Sequence, residues 1–481
     1  MRIDVVSASA GTGKTHRLTE ELVKALLDGS ARPEGVVAIT YTVKAAGELE
    51  SRIRARLLRE GRADLAARVR DGYLGTIHAV CQRLLRESAL EAGLSPFLEP
   101  IPETERRRLF AVAVAAVVAG REGELNALAR RLEIEDWREP LLAIVDAARS
   151  NGMDAAALTA SAARSRAGLE ALLDAASADG GDYLAALQAA LAKLLPKLDE
   201  LAQGTVKDDK ERQRLARGLQ AAIDRGQLPS WKSQVQLAAK VGTRKLAPFA
   251  GELIELVDGH LGCAAFRGDL TGMQRALFEL AGQALQVFVE EKAAAGVIDF
   301  GDMLALAVEL LGRPAVRAAL GARLDLVLVD EFQDTSPLQL AVVGGLAALA
   351  RRSVWVGDRK QAIFGFQGSD PELMTAATEA ALGDRRPDLL STSRRSRPPL
   401  VELCSSLFAR ALAPHGFPAE QVELTAADPD PAALAGQPAF ECWRWSRAKA
   451  EVDGEKVTPT EAAAVADGVA RLLADPPRVR E

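Results

Sequence analysis

The sequence predicts a parallel α/β fold whose sheet is interrupted by a long helical insertion. Three observations predict it. Short apolar, β-rich runs alternate with helical patterns at both ends of the 481-residue chain. From about Glu91 to Val289 the pattern changes to an alanine-rich, helical stretch nearly free of β-branched runs. Alanine, leucine and arginine dominate while aromatics make up 4%, a bias toward helix because straight-chain side chains lose little entropy there.

The elements follow in order. Ile3–Ser7 reads as a buried strand. Thr15–Leu27 carries Leu18, Leu22, Ala25 and Leu26 at helical spacing, and Gly29 suits its end. Val36–Thr40 is a second strand, Lys44–Leu58 a helix with charged faces, and "GYLGTIHAVCQRLL" a short strand entering a helix. In the insertion, the polar stretch Gly204–Gly218 is a charged loop or a helix face. Strands return with "RLDLVLVDEFQD" and "RSVWVGDRKQ". "AFECWRW" alternates like a strand. Thr458 to Glu461 forms a capping box with Pro459 at the first helical position, opening a final helix.

Composition excludes several classes. No apolar run reaches the roughly 18 residues that span a membrane. The N-terminus lacks a signal-peptide pattern, so a cytoplasmic protein is expected. Cys81, Cys263, Cys404 and Cys442 are far apart with no C-x-x-C pair, against a zinc site or disulfide framework. The net charge of −6 means that any nucleic-acid binding must use a local basic groove.

"SASAGTGKT", directly after the first strand, approximates the phosphate-loop pattern G-x-x-x-x-G-K-[ST], with Ala8 at its first glycine and Gly13, Lys14 and Thr15 in place. A strand before and a helix after are what the mechanism needs. The backbone N–H groups of Ala10, Gly11, Thr12 and Gly13 can then face phosphate oxygens at a helix N-terminus. Lys14 would reach the β/γ-phosphates, and Thr15 would ligate Mg²⁺. A plain glycine turn is the alternative. Far downstream, "LVLVDEFQDTSPLQ" sets Asp330 and Glu331 at the C-terminal end of a buried strand, where open parallel sheets bind ligands. Asp330 can hold Mg²⁺, and Glu331 can orient and polarise an attacking water; the alternative is an ordinary solvated acidic turn. These two strand ends are expected side by side in one sheet.

With those residues in view, the chain resembles superfamily 1 DNA helicases of the UvrD/Rep type, closest to the RecB and AddA branch. "SASAGTGKT" resembles the family's first motif, "AITYTVKAAGELESRI" its TFTNKAA segment, and "GTIHAVC" its TIHSFC segment. "DFGDML" resembles DF-x-DL, "VDEFQDTSPLQ" the second motif, "VGDRKQAIFGFQGSD" the third, and "LSTSRRSRPPLV" the fourth. The helical insertion is unmatched between them. The resemblance implies a RecA-like phosphate-loop NTPase core, using ATP and Mg²⁺. Residues 1–90 and 290–390 would form its two segments, 91–289 the insertion, and 391–481 the start of an incomplete second core.

The resemblance also implies residue roles. Lys14, Glu331 and Gln361 would be catalytic, with Gln361 sensing the γ-phosphate, and Asp358 would help hold the loop. Arg395 would contact the nucleotide from the second core, unless Arg394–Arg397 is a solvated basic turn. Single-stranded DNA would meet Thr40, Tyr41, Lys44, Thr76 and His78. Phe364 and Phe366 would stack on bases or, for one of them, pack in the core. Four departures stand out: Val43 for asparagine, Val80 for phenylalanine, Gln367 for arginine, and Ser393-Arg394 for an asparagine–aromatic pair. The fifth and sixth motifs have no match, so a fragment, or a chain completed by a partner helicase or nuclease, is expected.

The function expected from this resemblance is a DNA-dependent ATP hydrolase, a 3′-to-5′ helicase or translocase in repair or recombination, with no membrane association. A non-motor ATP- and DNA-binding scaffold module of a helicase–nuclease complex is the alternative. A phosphate-loop small-molecule kinase is disfavoured, because "VDEFQD" and "GDRKQAIF" have no use there. Taken alone, the chain is expected to bind single-stranded DNA weakly, turn over ATP poorly and separate no strands.

Overall fold

The computed structural model describes residues 2–95, 99–173, 182–204, 206–363, 365, 369–429, 440, 450–452, 455–457 and 469–470. The chain divides into two compact units, Met1–Leu84 with Val308–Glu481, and Leu85–Ala307. The "DFGDML" segment therefore falls in the helical unit, whose end lies beyond the boundary at 290 expected from the sequence.

The first unit is built on six strands: β1 (Arg2–Ala8), β2 (Val36–Thr40), β3 (Tyr73–Thr76), β4 (Leu326–Val329), β5 (Arg352–Gly357) and β6 (Asp388–Leu390). They form one sheet in the order β3-β2-β4-β5-β1-β6, and every pairing is parallel. β2 and β4 are buried along their whole length, as expected for strands covered on both faces. Helix α1 (Lys14–Leu27) packs Leu18, Leu22 and Leu26 on the sheet, and α2 (Val43–Arg59) packs Leu49, Ile53 and Leu57 in the same core.

One expectation fails. The strands ending at Ser7 and Asp330 are not neighbours, because β5 lies between them and pairs with both. The run Ser353–Gly357 is buried throughout, so β5 takes a central position, while β1 has only the three-residue β6 outside it.

The second unit is helical throughout its described length, apart from one isolated bridge between Pro100 and Ile298. One core gathers around the 32-residue helix Ala264–Ala295, with Leu141, Val145, Leu280 and Phe288 at its centre. A second core holds Leu187, Leu191, Leu194 and Leu253. The polar stretch near Gly204 is resolved as a helix, Lys207–Asp224, which buries only Ala216, Leu219 and Ile223.

After β6 a two-residue parallel pairing joins Thr392–Ser393 to Thr425–Ala426. A short antiparallel pair follows, Ala450–Val452 with Glu455–Val457. Phe364, Phe366 and Gln367, most of "AFECWRW" and the capping box at Thr458 lie outside the described residues. No described helix is long and apolar enough to cross a membrane.

Candidate functional site

The loop after β1 turns on two glycines with left-handed backbones, Gly11 at φ 79° and Gly13 at φ 96°, a region glycine enters without a Cβ clash. Ala8 needs no such freedom; it is the fully buried last residue of β1. The Thr12 hydroxyl donates to the Ser9 carbonyl at 2.7 Å, closing the turn. Gly13 caps α1 without any side-chain hydrogen bond, so the first N–H groups of the helix keep their capacity for an anion. The loop is also braced from the far end of the unit. Arg394 N–H donates to the Gly11 carbonyl at 2.8 Å, and a Cβ on Gly11 would lie 3.0 Å from Arg395 Cβ. Arg395 therefore does sit beside the loop.

Lys14 reaches from the start of α1 to Glu331, its Nζ 2.6 Å from Oε2 and 2.9 Å from Oε1. β5 separates their two strands, so the length of the lysine side chain makes this contact. Glu331 is one of two described non-glycine residues with positive φ, at φ 49° and ψ 46°. Such a backbone costs on the order of 1–3 kcal/mol and survives where the surroundings impose it. Here it turns the chain immediately after β4.

Two neighbouring acids are held away from their ordinary ionisation. Burial, and then the charge of Glu331, push Asp330 up to about 6. The same causes push Asp334 up to about 6, and its Oδ1 is buried with no hydrogen-bond partner. Gln333 is fully buried between them. Its Nε2 donates to Glu331 Oε2 at 2.8 Å and Asp334 Oδ2 at 3.1 Å. Its Oε1 accepts from Asp358 N–H at 2.8 Å. Asp358 in turn accepts from Gln361 Nε2 at 2.7 Å and pairs with Lys360 Nζ at 2.8 Å.

A cavity of about 310 Å³ opens at the ends of β2, β3 and β4. Thr40, Tyr41, Thr76 and His78 line it together with Asp330, Glu331 and Asp334. Burial lowers the His78 pKa, favouring the neutral ring. Burial, and then Asp334's charge, raise the Tyr41 pKa. Lys44 is not in this wall; it is exposed and 4.0 Å from Glu48. Thr15, the second residue of α1, offers its Oγ beside Lys14 in sequence, and Ala10 is an exposed residue of the loop. Val80 is buried and Val43 exposed at the first turn of α2, capped by Thr42. Cys81 is buried, its thiol pushed up to about 12, which suits core packing.

Gln333 and Asp334 received no separate role from the sequence. Their signal was present in "DEFQD", but their partners are not local: the Gln333–Asp358 bond spans 25 residues. Among the described residues no group of three or more His, Cys, Asp or Glu is arranged to hold a metal. A Mg²⁺ site needs less, since that ion keeps several waters and takes one or two protein oxygens beside phosphates.

Known proteins share this outline. Residues 3–381 match the UvrD/REP helicase N-terminal domain. The chain is similar to bacterial proteins named as the A subunit of an ATP-dependent helicase/nuclease. It is 22% identical to that of Pediococcus pentosaceus, over 77% of this chain and 34% of the relative. It is 24% identical to that of Latilactobacillus sakei, over 85% and 53%, and 26% identical to that of Pelotomaculum thermopropionicum, over 85% and 37%. The chain thus spans about a third to a half of the length of these relatives. With the matched domain running from β1 past β5 and carrying both the phosphate loop and the acids after β4, the chain belongs to the UvrD/REP helicase family.

Proposed function

We propose that the sheet unit binds Mg²⁺–ATP at the loop after β1, hydrolyses it, and couples the hydrolysis to single-stranded DNA as a 3′-to-5′ helicase or translocase. The observation that carries this reading is the 2.6 Å contact between Lys14 and Glu331, made by residues 317 positions apart. A mostly buried lysine held on a strained carboxylate is a charge waiting for a competing anion. In this reading the β/γ-phosphate oxygens take Lys14 Nζ, and the α1 N-terminus and the N–H groups of Ala10–Gly13 hold the remaining oxygens. Glu331, released from Lys14, accepts a proton from the attacking water. Water oxygen bonds to the γ-phosphorus, the bond to the β–γ bridging oxygen breaks, and ADP and phosphate leave.

The residues fit a divalent cation. Asp330 carries a penalty for ionising where it sits, which a cation would remove. Asp330 and Thr15 would hold Mg²⁺, which when bound neutralises charge on the β/γ oxygens. Gln361, tied through Asp358 and Gln333 to Glu331, is placed to report on the γ-phosphate. Arg395 adds a guanidinium beside the loop.

The DNA side rests on the shared cavity wall. Thr40, Tyr41, Thr76 and His78 adjoin the reacting carboxylates, so a strand touching them is felt at Glu331. The relatives, named as parts of a helicase/nuclease, support a repair or recombination setting with a partner chain. The test is phosphate release by the purified chain with Mg²⁺–ATP, with and without oligo(dT). Stimulation by DNA is expected. DNA binding without stimulation would favour the scaffold reading, and indifference to DNA would remove both.

A further inference from the structure

Gln333 is the residue the proposed mechanism does not use and the geometry does not leave alone. It is 2% exposed and uses both ends of its amide. The nitrogen donates to Glu331 Oε2 at 2.8 Å and Asp334 Oδ2 at 3.1 Å. The oxygen accepts from Asp358 N–H at 2.8 Å, whose carboxylate holds Gln361. Its seat is shaped for it from the opposite strand. At Gly357, the last residue of β5, a Cβ would lie 2.7 Å from Gln333 Oε1. Only glycine lets the amide reach Asp358 there.

We propose that Gln333 is a positioning residue for hydrolysis, fixing Glu331 against the β4 end and joining it to both the cavity wall at Asp334 and the Gln361 loop. An amide suits this role because it is the one neutral side-chain group that donates and accepts at once in a fixed plane. With Lys14 transferred to a phosphate, Glu331 loses its cation. The Gln333 N–H is then the remaining side-chain donor shown on its carboxylate, and it sets which oxygen lone pair faces the water. Asp334 borders the same cavity as Tyr41 and Thr76, so an occupant that shifts Asp334 tugs on the amide that also holds Glu331. Gln333 thus links a strand in the cavity to the orientation of the base, without itself touching substrate.

This inference rests on the ATPase reading above, and the experiment separates the two. Three variants of the full chain, Gln333→Met, Gln333→Glu and Gly357→Ala, are compared with wild type and Glu331→Gln. Measurements are kcat and KM for ATP with and without oligo(dT), and Kd for a fluorescent ATP analogue. Gln333→Met removes both hydrogen-bonding ends at similar length. Gln333→Glu keeps an acceptor for Asp358 N–H but turns a carboxylate toward Glu331 and Asp334. Gly357→Ala displaces the amide without altering any polar group. All three are expected to lower kcat at least about tenfold, a fraction of what a general base supplies, with Kd and KM within about twofold and DNA stimulation reduced. A purely structural role predicts that Gln333→Glu, which still satisfies Asp358, turns over like wild type; that result would overturn the assignment. So would losses in which kcat and Kd worsen together. If Glu331→Gln is inactive while the three variants match wild type, the positioning role fails and the ATPase reading stands. If wild type releases no phosphate, both fail.

Discussion

Replacing Asp330 by asparagine should make the protein more stable and, on the proposed mechanism, inactive. Asp330 sits at the end of β4, where burial and the Glu331 charge lift its pKa from 3.8 to about 6. A raised acid binds its proton more tightly folded than unfolded, so its ionised form opposes folding. The difference is worth about 3 kcal/mol at pH 7, where the group is ionised in both states. The penalty falls as pH drops through the folded value, to about half at pH 5, and vanishes below the unfolded value. Asp330→Asn removes a charge that the fold does not compensate and keeps the side-chain shape. We expect a gain of about 1–3 kcal/mol at pH 7.5, the upper figure reduced because Glu331 remains as a neighbour. That is a rise of several degrees in Tm at roughly 2–4 °C per kcal/mol for domains of this size. The assay is thermal unfolding of wild type and variant at pH 7.5 and 5.0, with and without Mg²⁺–ADP. The gain should shrink at pH 5.0, and Mg²⁺–ADP should stabilise wild type more than the variant. Destabilisation at pH 7.5, or a gain independent of pH, would refute the reasoning.

Further outcomes follow from the same geometry. Lys14→Ala should weaken Mg²⁺–ATP binding about 10- to 100-fold, the worth of a charge-assisted hydrogen bond, read by calorimetric titration. Tyr41→Ala should cost about 1–3 kcal/mol in single-stranded DNA affinity if its ring stacks on a base, and binding by wild type should fall steeply with salt. Ser336→Ala removes a capping box in which Ser336 and Gln339 serve each other at the start of the helix Pro337–Leu349. It should lower stability by about 1 kcal/mol in denaturant unfolding.

What the sequence made legible was local. Val36–Thr40 and the apolar run before Asp330 announced themselves because strands buried on both faces read as unbroken β-rich runs. The phosphate loop was readable because Gly11, Gly13 and Lys14 act within one turn. The order of strands was not legible, since β5 inserts between β1 and β4 through pairings with residues over 300 positions away on one side. The boundary of the helical unit was missed for a similar reason. Asp299 is held in that unit by Arg149, 150 residues earlier, and by Lys292 at 3.1 Å. Burial would raise Asp299, but these cations bring it down to about 2. Gln333 was hidden in a motif already read, because its role depends on Asp358 and on the empty space beside Gly357.

The account stands most directly on Glu331 as the base rather than a mere partner of Lys14. The measurement is phosphate release and ATP affinity of Glu331→Gln beside wild type, in Mg²⁺ with single-stranded DNA. The account predicts affinity equal to or tighter than wild type and turnover lower by about 10²–10⁴. Wild-type turnover by Glu331→Gln, or loss of binding in step with turnover, would contradict it.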